Sequence, residues 1–196
     1  MRRPAFAVCA ALILWAPVAS AQHGSMTTDH AATSFVKDAG PHTRPVDLSV
    51  FGGTPGALLV GFGGGLRVSF PLVHDGFIGT INNAVRLETG VEFYHWSFAG
   101  FDYETVAVPL QLRWDFFLTE QWTVFAAMGV AINVYYFEDD AGFFDAPENT
   151  SLWGFGSGAL ITSAFGVGAL LNFSESVSLR LDASLNLLGA GLTFRF

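Results

Sequence analysis

The end of the chain alternates with a period of two. From Val177 the apolar positions are Val177, Leu179, Leu181, Ala183, Leu185 and Leu187, and the residues between them are Ser178, Arg180, Asp182, Ser184 and Asn186. After a short Gly-containing turn, Leu192, Phe194 and Phe196 take one face and Thr193 and Arg195 the other. A repeat of two places alternate side chains on opposite faces of an extended strand. The same pattern runs back to Asp47 and predicts eight strands, over 46–60, 66–73, 85–98, 103–117, 121–137, 158–172, 176–186 and 189–196. Gly and Pro interrupt the first. A strand crosses a bilayer in about 9–11 residues, so several of these would project beyond one. The connections at 118–120 and 173–175 are short. The one at 138–156 is long, acidic and aromatic. Short turns on one side and long loops on the other fit an up-and-down barrel with both termini on the short-turn side. The connection at 74–84 breaks the pattern, because it should be short and is not.

The arginines obey the alternation. Arg67, Arg86, Arg113, Arg180 and Arg195 each fall on the polar face of their strand. Arg86 shares a face with Glu88 and Glu92, Arg113 with Asp115, and Arg180 with Asp182. An arginine facing lipid near the midplane would cost about 2–4 kcal/mol, and this placement avoids it. The same face carries small residues, Ala127, Gly129 and Ala131 in one strand and Ala164, Gly166 and Gly168 in the next. A narrow barrel has little room inside. The expectation is a lumen plugged by paired charges: Arg67, Arg86, Arg113, Arg180 and Arg195 against Glu88, Glu92, Asp115 and Asp182.

Alternation alone would also suit a soluble barrel with its apolar face enclosing a ligand. Composition turns the choice. Only 13% of the residues are charged, too few for a well-solvated exterior, while 51% are hydrophobic and the mean hydropathy is +0.43. Aromatic residues also gather near strand ends, Trp114, Phe116, Phe117 and Trp122 at one end and Tyr94, Trp96, Tyr135 and Tyr136 at the other. Paired aromatic girdles belong to membrane barrels. With its alternating strands and terminal Phe196, the chain resembles the small bacterial outer-membrane β-barrels, the OmpA/OmpX-like group, over residues 47–196. That resemblance implies an all-β, antiparallel, monomeric eight-stranded barrel in the bacterial outer membrane. It also implies outer-membrane lipid as a partner, and a terminal strand (Leu192, Phe194, Phe196) read by the barrel-insertion machinery.

The other end agrees. Arg2 and Arg3 precede an apolar stretch, Ala5 to Val18, and Ala19-Ser20-Ala21 has the form of a signal-peptide cleavage site. The expected organisation is a signal peptide at 1–21, a flexible polar leader at 22–46 and the barrel at 47–196. Cys9, the one cysteine, would leave with the signal peptide, which removes disulfide and thiolate chemistry. Without Arg2 and Arg3 there are seven basic residues against 17 acidic, a net charge of −10. That argues against nucleic acid as a partner. His23, His30 and His42 in the leader fit no compact metal site. No metal and no cofactor is expected.

Three segments could carry chemistry. Gly61-Phe62-Gly63-Gly64-Gly65 has neither common phosphate-loop spacing nor a following helix, and reads as a turn or a close approach of backbones. Asp139, Asp140 and Asp145 could offer oxygen ligands to a cation but lack a binding-loop spacing, and read as a solvated loop. His95-Trp96-Ser97-Phe98-Ala99 loosely resembles the His-x-Ser-Asn-Ala motif of the outer-membrane lipid A deacylases, with Phe98 where that motif has Asn. The resemblance implies a Ser97 nucleophile and a His95 base, with Asp102 or Glu104 orienting the histidine. The bland reading is a His and a Ser at the headgroup level. The sequence thus points to a non-enzymatic structural or surface-interaction barrel. A small-solute pore and a lipid-modifying enzyme using His95 and Ser97 are the rivals.

Overall fold

The computed structural model describes residues 35–54, 60–98, 101–138 and 158–196. The chain divides into two units, 1–30 and 31–196, and the first lies outside the described residues. The second is an eight-stranded barrel. Its strands are β1 (Asp47–Thr54), β2 (Val60–Val73), β3 (Asn83–Phe98), β4 (Phe101–Phe117), β5 (Trp122–Glu138), β6 (Gly158–Asn172), β7 (Val177–Ser184) and β8 (Leu188–Arg195). Each is hydrogen-bonded to its neighbours in sequence, and β8 closes on β1. All pairs are antiparallel, with Leu48 opposite Phe194 at the closing seam. Closure leaves no open edge around the ring, which is what a sheet in hydrocarbon requires.

Two expectations change. The first strand ends at Thr54, and its expected end at Val60 is instead the start of β2. The glycine run 61–65 is therefore no turn. It lies within β2, where Gly63, Gly64 and Gly65 pair with Gly53, Gly52 and Phe51 of β1. The close-approach reading holds at Gly65: a Cβ there would meet the Val91 carbonyl, with the Glu92 Cα at 2.9 Å and Cγ at 3.1 Å.

The wall is uneven. Strands β3 to β6 run 15–17 residues, while β7, β8 and β1 run 8 each. Among the described residues, β6 pairs with β7 only from Gly166 onward and with β5 along almost its whole length. A closed ring at the short-turn end thus continues into a taller wall at the loop end.

The leader differs from the expectation where it is described. Residues 22–34 lie outside the described residues, but 35–46 are tied beneath the ring. Asn82 N–H donates to the Val36 carbonyl at 2.8 Å, and the Asn82 side chain donates to the Phe35 carbonyl at 3.3 Å. Arg44 N–H donates to His74 Nδ1 at 2.9 Å, and its guanidinium bonds Asn82 Oδ1 and lies 3.8 Å over the Phe117 ring. The His42 backbone N–H donates to Asp75 at 2.9 Å. With the His42 ring at 3.1 Å, it holds that carboxyl below its ordinary range. The connection that looked too long, residues 74–82, is the other half of this cap.

Gly65→Val is expected to hinder closure, since overpacking here presses on backbone and costs about 1–3 kcal/mol or more. The measurement is the fraction of unheated protein migrating as compact barrel in detergent electrophoresis, against Gly79→Val, where a Cβ meets nothing.

Candidate functional site

Alternation turns one residue of every pair inward, and the inward set is where charge collects. Arg86, Arg113, Arg180 and Glu88 are fully buried, and Asp47, Arg67, Glu92, Asp115 and Asp182 nearly so. Glu88 stands at the centre. Its Oε2 accepts from Ser69 Oγ at 2.6 Å, Arg180 at 2.8 Å and Arg113 at 2.9 Å. Its Oε1 accepts from Arg180 at 2.9 Å and Arg67 at 3.1 Å. Asp115 joins Arg86 at 2.7 Å to Arg113 at 2.6 Å, and Asp182 receives Arg180 at 2.6 Å. Glu92 bonds Arg67 and the Tyr94 hydroxyl. Arg195 sits at the margin, donating to Asn172 Oδ1 at 2.7 Å.

All nine expected residues are in contact within one network, and the sequence reading missed a tenth. Asp47, 1% exposed, lies 3.1 Å from Arg113, 3.4 Å from Arg86 and 3.8 Å from Arg195. With it the network holds five arginines and five carboxylates and sums to zero. A signal existed: five arginines against four carboxylates left one cation unmatched. Buried ions persist when paired and hydrogen-bonded, and removal of one partner leaves the other stranded.

Aromatic rings fill the space between the ions. The Arg67 guanidinium lies 4.8 Å from the Phe51 ring centre, and those of Arg113 and Arg180 lie 4.8 and 4.9 Å from Phe125. Such contacts favour a desolvated cation. Toward the loop end, Phe51, Tyr94, Ala107 and Leu187 form an apolar layer with Trp96 packed against it. Tyr94 and Trp96 thus leave the expected outer girdle. They share the parity of Glu92 and point inward, which a girdle around the outer wall does not allow. Phe117 also faces inward, under Arg44.

The outward face is the opposite in character. Leu66, Val91, Leu110, Met128, Val167 and Leu192 stand exposed around the wall. Near the short-turn end Trp114 stacks on Phe116 at 5.1 Å, with Trp122 exposed nearby. Charge within and hydrocarbon side chains without is the arrangement of a barrel whose solvent is lipid.

The fold is a closed eight-stranded antiparallel β-barrel, charged inside and apolar outside. Two solved structures are similar to it. One is the crystal structure of Neisserial surface protein A (NspA), at 12% identity and a TM-score of 0.45, covering 77% of this chain and 94% of that one. The other is the Yersinia pestis outer membrane protein Ail in a phospholipid bilayer nanodisc, at 13% identity and a TM-score of 0.44, covering 79% and 100%. No family model and no curated protein matches the chain.

The remaining candidates sit as follows. His95 and Ser97 share the outward face of β3 at the loop end. His95 Nδ1 is 3.8 Å from Glu104 on β4, and its ring stacks on Phe62 at 5.2 Å. Ser97 pairs through its backbone with Asp102. Among the described residues no hydrogen bond joins Ser97 to His95. Leu192 in β8 and Phe196 just beyond it are exposed, and Phe194 is half-buried. The candidate cation residues Asp139, Asp140 and Asp145, and the leader histidines His23 and His30, lie outside the described residues.

Glu88→Ala removes the counter-ion of three arginines and is expected to destabilise the barrel by about 3–5 kcal/mol. Glu120→Ala, on an exposed turn, should stay within about 0.5 kcal/mol. Denaturant unfolding in lipid vesicles, followed by tryptophan fluorescence, measures both.

Proposed function

We propose that the protein is a non-conducting outer-membrane barrel with a structural or surface-interaction role. One observation carries this reading: the lumen is filled in three successive layers. The strap at 35–46 covers the short-turn end, and Arg86 ties it to the network by donating to the Pro45 carbonyl at 2.8 Å. The neutral ion network lies above it. The layer of Phe51, Tyr94, Ala107 and Leu187 follows. A solute would have to break each in turn. The taller wall of β3 to β6 supports a role outside the membrane, because it carries sheet beyond the closed ring.

The lipid-modifying reading has one observation in its favour, the Glu104 carboxylate beside His95. Among the described residues no hydrogen bond runs from Ser97 to His95, the base that this reading requires.

In planar bilayers the refolded protein is expected to give no stable current steps. Arg113→Ala is expected to stay silent too, because the apolar layer remains. Steps in the parent would make the protein a pore and end the filled-lumen reading. Ser97→Ala should leave the mass profile of extracted outer-membrane lipid unchanged. A lost deacylated species would make Ser97 a nucleophile.

A further inference from the structure

We propose that the β2–β3 turn is a lipid-docking element, with Phe77 and Ile78 inserted at the headgroup–acyl boundary of the periplasmic leaflet. The proposal rests on the outer-membrane reading above. The turn spans 74–82, whereas the other two connections at this end span 118–121 and 173–176. Its extra length is partly spent on an apolar tip: Phe77 is 72% exposed and Ile78 37%.

The tip is held in place. The Asn83 side-chain amide donates to the carbonyls of Ile81 at 2.7 Å, Ile78 at 2.9 Å and Asp75 at 3.3 Å. Its Oδ1 accepts from Trp114 Nε1 at 2.9 Å. Gly76 takes φ 60° directly against Asn83, a position with no space for a Cβ. One asparagine thus fixes both the turn and the indole beside it.

The direction of the tip identifies its partner. The Phe77 ring meets Trp114 edge-on at 6.1 Å, on the outer wall. Phe77, Val85, Leu112, Trp114 and Met128 line part of an apolar groove of about 530 Å³ there. Val85 faces outward yet is only 6% exposed, at the foot of this groove. The tip is therefore continuous with the lipid-facing surface rather than with the lumen. From Gly76 to Ile81 the turn carries no charge, and Asp75 is turned to His42 in the strap. An uncharged turn with an exposed aromatic and an adjoining tryptophan matches the chemistry of a phospholipid interface.

The test uses spin labels on single cysteines, with Cys9 replaced by serine, in phospholipid vesicles. Labels go at Phe77, Ile78, Leu110 on the mid-wall and Glu120 on an exposed turn. The label at Ile78 keeps Phe77 intact. The oxygen-to-nickel accessibility ratio at 77 and 78 is expected to be several-fold that at Glu120 and below that at Leu110. Nickel access at 77 and 78 equal to that at Glu120 would overturn the proposal, as the tip would then be in water. Shielding from both reagents would also overturn it, in favour of a protein partner or a second copy. Failure of the membrane reading itself would appear separately, as nickel access at Leu110.

Discussion

Electroneutrality of a closed, nearly dry lumen is the constraint on which the rest depends. A sheet that turns hydrocarbon side chains outward must turn its polar residues inward, and eight strands enclose too little space to hydrate them. Every inward ion then needs a counter-ion within reach. The five arginines and five carboxylates meet this condition because the strand registers bring them to one level. Ser69 and Glu88 are paired residues on β2 and β3, and Arg86 and Arg113 on β3 and β4. Two arginines side by side would repel, and Asp115 and Asp47 both reach the two of them. A shift of one residue in any of these pairings would turn these ions toward lipid, so the network also fixes the register.

The interior is therefore better described as a core than as a channel. Arginine stems and guanidinium planes pack on Phe51 and Phe125 as leucines would pack in a soluble protein, and glycines opposite them give the long side chains room. The apolar layer at the loop end then excludes water from one side and the strap from the other. Each seal strengthens the ion pairs by lowering the local dielectric, and the same lowering makes an unpaired ion costly.

Much of this was legible in the sequence, because a period of two is a strong signal and arginine cannot face lipid without cost. Strand number, topology and the parity of all five arginines follow from those two facts. What was missed has physical reasons. Asp47 begins a strand that Gly and Pro interrupt in sequence, where alternation is a weak guide to face, and its inward place shows in its pairing with Arg195. Nearness to a strand end suggests a girdle for Tyr94 and Trp96, but they share the parity of inward Glu92. Inward Phe51 and Phe125 run against the polar pattern of their face, so alternation alone does not predict them. They fit once cations surround them. The tie of residues 35–46 to the barrel depends on contacts thirty or more residues apart, which no local pattern encodes.

The end of the barrel that faces the short turns obeys the alternation too. Asn82 and Asn83 are adjacent at the start of β3, so one must point inward and the other outward. Asn82 points in and holds the strap through Phe35, Val36 and Arg44, and its carbonyl accepts from Phe117 N–H. Asn83 points out and holds the β2–β3 turn and Trp114. Two identical side chains in sequence thus organise two surfaces of opposite character, the closure of a polar lumen and an apolar tip against the outer wall. Their amides suit both tasks, since each offers donors and an acceptor without a charge that would need a partner of its own. A carboxylate at Asn82 would still accept from Arg44 but could not donate to the Phe35 carbonyl, and one at Asn83 would lose the donors that hold the turn and carry charge to the lipid face. Asparagine suits both positions because each needs donors and an acceptor on one short side chain.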